Sequence, residues 1–143
     1  MGGVNRKEVR LMPRFGKRSK ERLKGVDHRL IMVLDEVVKY FDITVIEGIR
    51  SQERQNQLVK EGKSKTKFGK HVLGKAVDIG PYPLDWSARD DFHYLGGFVL
   101  GIANQLGIKI RWGGDWNASS FFEGKRTTKD NKFDDLVHFE LLD

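Results

Sequence analysis

Two stretches decide how this chain reads: Lys70-His71-Val72-Leu73-Gly74-Lys75-Ala76-Val77-Asp78 and, late in the sequence, Asp135-Leu136-Val137-His138-Phe139-Glu140-Leu141. Ala76-Val77-Asp78-Ile79 alternates small or polar with apolar side chains, the period of a half-buried strand. Val77 and Ile79 then face the core, leaving Ala76 and Asp78 on the opposite side. In the second stretch Leu136, His138 and Glu140 share one face, while Val137, Phe139 and Leu141 share the other. Asp78 and His138 thus lie on faces that need not be buried. If Gly74-Lys75 is a two-residue turn, His71 lies across from Asp78 with Cβ atoms roughly 5 Å apart. A loop followed by a strand would serve as well.

His71, Asp78 and His138 make a three-ligand metal set. Zinc held by three protein groups keeps a fourth position for water, the arrangement of a catalytic site, whereas structural zinc takes four ligands, mostly cysteine. The chain has no cysteine. Each residue also has a plainer reading: His71 as a surface loop residue, Asp78 as a turn former, His138 as a strand residue satisfied by a backbone carbonyl.

The pattern His71-x-x-Gly74-x-Ala76-x-Asp78 followed by Asp135-x-x-His138 resembles the zinc peptidases that include D-Ala-D-Ala carboxypeptidases and phage L-alanyl-D-glutamate endopeptidases. The likeness to the phage endolysin branch extends to Gly48-Ile49-Arg50-Ser51, Gly62-Lys63-Ser64-Lys65 and Gly107-Ile108-Lys109-Ile110-Arg111-Trp112-Gly113-Gly114-Asp115-Trp116, and covers about Arg18 to Leu142. One departure is Gly69, where the family usually has a serine two residues before the first histidine. It removes a hydroxyl from the neighbourhood of the ligands or substrate, and no ligand.

With 143 residues, 38% of them hydrophobic and 32% charged, the chain suits one polar globular domain. No stretch approaches the roughly 20 apolar residues of a membrane helix, and no apolar signal-peptide core follows the basic start. Manufacture in the host cytoplasm without a signal peptide is therefore expected, and the resemblance implies action on the cell wall after release. Nine lysines and arginines lie within Met1–Lys24 against Glu8 and Glu21, a balance of +7 where the whole chain carries +6. The positive field is concentrated at one end. It reads either as a solvated arm over residues 1–17 or as an attractor for a polyanion. Phe15 is its one aromatic, so stacking on single-stranded bases has no support.

From Ser19 a short turn reaches Leu23, and Asp27 caps a helix whose Leu30, Val33, Leu34, Val37, Val38 and Phe41 form an apolar stripe. Ile43-Thr44-Val45-Ile46 follows as a strand, and Ser51 caps a helix ending near Gly62. Lys63 to Lys70 is a basic loop, expected at the rim of a cleft. Asp90 and Asp91 open a long helix at its positive end, with Phe92, Leu95, Phe98, Val99, Ala103 and Leu106 inward. Gly107 closes it, and Ile108–Trp112 alternates as a strand. Between Gly113 and Asp134, Trp116, Phe121 and Phe122 either pack the loop down or line the substrate groove.

These readings give a small α+β domain over residues 18–143, a mostly antiparallel sheet with helices on one side and a cleft holding Zn²⁺ through His71, Asp78 and His138. The resemblance implies Asp135 as general base. Because it lies three residues from His138, it must sit on the bend entering the strand to turn back to the metal. Asp134 is the alternative base, and Glu140 an outer support of His138. Arg50, at a strand-to-helix junction, is either solvated or, as the resemblance implies, a substrate or transition-state contact. The implied substrate is the peptidoglycan stem peptide, cut between L-Ala and D-Glu, with D-Ala-D-Ala carboxypeptidase activity as the alternative. A non-catalytic wall-binding module and a nucleic-acid-binding protein are the readings from other classes; no nucleic-acid motif is present. The arm is the expected contact to an anionic cell-wall or outer-membrane surface, and a monomer is expected.

Overall fold

The alternating stretches become the two middle strands of a four-stranded sheet. The structure, a computed structural model, describes residues 15–64, 69–118, 122 and 128–143. Its elements are helix α1 (Lys17–Arg22), α2 (His28–Val38), strand β1 (Ile43–Glu47), α3 (Gln52–Lys60), β2 (Ala76–Pro81), α4 (Arg89–Gln105), β3 (Ile110–Gly113) and β4 (Asp135–Leu141). The strand order is β1-β2-β4-β3 and every neighbouring pair is antiparallel. This is the α+β architecture expected from the sequence.

One face of the sheet carries Val45, Val77, Ile79, Phe139 and Leu141, all buried in a single core with Leu30, Val33, Leu34 and Val37 of α2 and Leu95, Val99 and Ala103 of α4. The helices form where the sequence places their signals. The Asp27 carboxylate accepts the Arg29 N–H at the start of α2, and the Ser51 hydroxyl accepts the Arg54 N–H at the start of α3. Phe41 lies just beyond α2 and is half-buried, its ring against those of Tyr94 and Phe98. At the other end of the chain's helical run, Gly107 has φ +72° and the Ile108 N–H donates to Ala103 O, closing α4. That bond spends the Ile108 amide on the helix, so β3 begins at Ile110 and not at Ile108 as expected. Leu106, expected in the inward stripe, sits on the cap and is 40% exposed.

The short helix α1 protects the outer strand. The Ser19 hydroxyl accepts the Val45 N–H and Arg22 donates to Val45 O, so the free edge of β1 is partly satisfied by side chains. Phe15, ahead of α1, is already buried in the core. The rest of the basic arm, residues 1–14, lies outside the described residues. Among the described residues no helix is long and apolar enough to cross a membrane.

Two adjacent glycines of α4 separate packing from helix propensity. Gly96 is buried, and a Cβ there would overlap the Trp112 indole, whereas a Cβ on exposed Gly97 would meet nothing. Alanine favours a helix over glycine by about 1 kcal/mol, but forcing a methyl into a filled core costs typically about 1–3 kcal/mol, and more where nothing can yield. In urea unfolding, Gly97→Ala should therefore stabilise the protein and Gly96→Ala destabilise it. Equal shifts of one sign would refute the packing argument.

Candidate metal centre and active-site groove

The face of the sheet opposite the long helices carries the polar residues, arranged as rows across the strands. Glu47 of β1, Asp78 of β2 and His138 of β4 are consecutive register partners. The next row sets Ala76 of β2, Glu140 of β4 and Arg111 of β3 side by side. Cross-strand neighbours on one face are the closest contacts a sheet offers, so residues far apart in sequence meet here. His71 joins them from the loop before β2. The two-residue hairpin turn is not formed: His71–Gly74 is a turn, the strand starts at Ala76, and Asp78 faces Glu47 and His138 across the strands. The physical reason is that both edges of β2 are taken by β1 and β4, leaving no edge for a segment at His71.

The three candidate ligands converge. One ligand atom from each of His71, Asp78 and His138 lies within 4.8 Å of the others, so the group could hold a metal ion. Asp78 Oδ1 is 3.0 Å from His71 Nε2 and 3.2 Å from His138 Nδ1. The remaining imidazole nitrogens are tied down. His71 Nδ1 donates to Gly48 O at 2.9 Å, which requires the proton on Nδ1 and aims Nε2 at Asp78. His138 Nε2 lies 2.9 Å from Glu140 Oε1, and Arg111 donates to the other oxygen of Glu140 at 2.8 Å. This is the outer support that orients histidine ligands, and it fits a metal held by His71 Nε2, His138 Nδ1 and Asp78. The chain is built tightly around it: a Cβ at Gly48 would overlap Arg22 O, so only glycine brings that carbonyl to His71. His71 and His138 are both buried.

The electrostatics favour a cation. Burial alone would push the His138 pKa down, but its hydrogen bonds with Asp78 and Glu140 outweigh this and lift it to about 9. Burial likewise favours the neutral form of Asp78, yet hydrogen bonds from the two histidines hold it well below the usual carboxylate range. A metal would take the place of that strongly held proton.

These groups form the floor of a groove of about 600 Å³. Asp135, Arg50 and Trp116 also line it. Asp135 reaches it through an irregularity in the β3–β4 pairing. Trp112 faces Phe139, but the next residue, Gly113, already faces Asp135, so the strand bends there as the spacing required. Burial raises the Asp135 pKa, and the Asp78 charge adds to it. Asp134 turns the other way, accepting from Arg89 at 2.6 Å and Asn131 at 2.7 Å, and does not line the groove. Arg50 is largely buried: Nε and Nη2 donate to Glu47 at 2.7 and 2.8 Å and Nη1 to Gln55 at 2.8 Å. The Trp116 ring lies 5.3 Å from that of His138, and its indole N–H donates to Phe133 O. Lys63, Ser64, Gly69 and Lys70 border the groove, as expected of the basic loop; residues 65–68 lie outside the described residues. Phe122 is 65% exposed, and Phe121 lies outside the described residues.

Glu47, Arg111, Gln55 and Phe133 belong to the site and are not evident from the sequence. Glu47 is the partial exception, because it stands three residues before Arg50 and ends a β-branched run.

Comparison with known proteins places this groove in context. Residues 11–142 match the family described as phage L-alanyl-D-glutamate peptidase. Over 134 residues the chain is 34% identical to the L-alanyl-D-glutamate peptidase of Escherichia phage T5, spanning 87% of this chain and 98% of the relative. It is 29% identical over 121 residues to the peptidoglycan L-alanyl-D-glutamate endopeptidase CwlK of Bacillus subtilis (strain 168), covering 73% of this chain and 63% of that protein. The crystal structure of the Serratia marcescens L-Ala D-Glu endopeptidase ChiX matches with a TM-score of 0.72 and 32% identity, over 97% of this chain and 95% of that one. A match that spans nearly the whole chain, rather than the histidine motifs alone, makes this protein a member of the phage L-alanyl-D-glutamate peptidase family.

Proposed function

We propose that the protein is a zinc-dependent endopeptidase that cuts the L-Ala–D-Glu bond of the peptidoglycan stem peptide, acting on the cell wall as a monomer. The observation that carries this reading is the meeting of His71, Asp78 and His138 with Asp135 in one groove, inside a chain whose named relatives are L-alanyl-D-glutamate peptidases. Bound by these three ligands, zinc would supply Lewis-acid polarisation and make water more acidic. The protein's own groups do the rest. Asp135, its carboxyl made more basic by burial, accepts the proton of the attacking water and returns it to the leaving amine. Arg50 is held rigid by Glu47 and Gln55, and three of its five N–H groups are so engaged. The other two are available to a carbonyl oxygen as it gains charge. Trp116 offers the substrate an apolar wall beside His138.

Digesting purified peptidoglycan with and without a chelator, followed by mass spectrometry of the new termini, tests the reading. New C-terminal L-Ala and N-terminal D-Glu that vanish with chelator are expected. Release of free D-Ala would instead assign D-Ala-D-Ala carboxypeptidase activity.

The part of the basic arm ahead of buried Phe15, residues 1–14, is proposed as an electrostatic tether to an anionic wall or outer-membrane surface. Removing Met1–Arg14 should leave cleavage of a short soluble peptide unchanged and weaken binding to whole cell wall at low salt. By about 0.5 M salt, where screening acts over only a few Å, the two forms should bind alike. Loss of peptide cleavage on truncation would make the arm part of the fold.

A further inference from the structure

Trp86 has no part in the chemistry above, yet it is held flat and open. Its indole lies parallel to the buried ring of Phe92, with ring centroids 5.6 Å apart at 13°, and remains 62% exposed. The two rings, with Arg89, Asp134 and Asp135, border a hollow of about 170 Å³, room for one ring and not for a chain. Arg89 and Asp134 form a 2.6 Å ion pair on its rim. Asp135 lines both this hollow and the metal groove, so a molecule in one lies next to the reacting bond in the other.

Charge sets the direction in which a stem peptide would lie. Arg54, Lys63 and Lys70 border the metal groove, and none of them borders the hollow. A stem peptide carries its carboxylates on the D-Glu side of the cut bond. On the other side a single L-Ala is joined through a lactyl ether to an uncharged amino sugar. With the acidic part drawn to the cations, the sugar falls one residue beyond the bond, on the far side of Asp135.

We propose that the hollow beside Trp86 is a subsite for the muramyl sugar that bears the stem peptide. The indole packs on the apolar C–H face of the ring, and Arg89 and Asp134 meet its hydroxyl and acetamido groups, the mix of flat apolar wall and few polar groups that fixes a small ligand. The inference rests on the peptidase reading and adds how wall-borne peptide is distinguished from free peptide.

The test compares kcat/KM for a free stem peptide and for the same peptide amide-linked to N-acetylmuramic acid, using the full-length zinc-loaded protein. The wild type should prefer the muramyl substrate by roughly threefold to tenfold, the scale of one aromatic stacking contact. Trp86→Ala should bring the ratio close to one, and Trp86→Phe should retain most of it. No preference in the wild type, or equal loss on both substrates in Trp86→Ala, would overturn the subsite. Cleavage of neither substrate would overturn the peptidase reading. The subsite is then decided by the Trp86 indole N–H resonance: a shift with muramyl peptide and not with free peptide supports it, and no shift ends it.

Discussion

Replacing Asp135 by alanine should lower turnover by roughly 10²–10⁴-fold, the usual contribution of a general acid–base group, while zinc content stays at the wild-type level. The residue lines the groove with His138 but is not among the three converging ligands. Its burial is the reason for the size of the effect. A carboxyl pushed above the ordinary range by desolvation, and then by the Asp78 charge, is better matched to taking and giving back a proton near neutral pH. Measuring kcat beside metal content separates the possibilities. Loss of zinc would make Asp135 a ligand. Unchanged turnover would move the proton transfer elsewhere, and Asp134, engaged by Arg89 and Asn131, is badly placed to take it over.

Removing the metal should abolish peptide cleavage, and one equivalent of Zn²⁺ should restore it. Single substitutions His71→Ala, Asp78→Ala and His138→Ala should each prevent that recovery. The same ion should stabilise the fold, since a ligand that binds only the native state adds about 4 kcal/mol at a concentration a thousandfold above its dissociation constant. The readout is the thermal midpoint with and without zinc: a clear rise in the wild type, and little or none in the three variants. The metal must displace the proton that His138 holds up to a pKa of about 9, so zinc affinity should fall as pH is lowered through that range and below. A variant lacking any one of the three side chains that still binds one zinc per chain would sink the ligand assignment.

Much of the fold was legible because its signals are local. The three- and four-residue spacing from Leu30 to Val38, the caps at Asp27 and Ser51, and the alternation in 76–79 and 136–141 each follow from a few neighbouring side chains. The departures occur where a residue's environment is set from a distance. Leu106 has the spacing of a core residue, but it falls on the helix cap and is exposed. His71 was easy to recognise and hard to place, because its position depends on the Gly48 carbonyl and on β1 occupying the edge of β2. Glu47 and Arg111 carry little signal for the same reason: each meets the site across the sheet, Glu47 as the register partner of Asp78 and Arg111 as that of Glu140. Strand order and register decide such pairs, and neither can be read from spacing along the chain.

The strand order β1-β2-β4-β3 also has a consequence for biosynthesis. The last strand to be made occupies the interior of the sheet, and it brings His138 and Asp135 with it. Until it emerges, β2 and β3 each present an unpaired edge, the kind that invites association with other nascent chains. Pairing across such separations is slow to form. The same late pairing that completes the sheet brings His138 and Asp135 to the groove. A chain cut short before Asp135 lacks His138 and should neither bind zinc through the trio nor cleave a stem peptide.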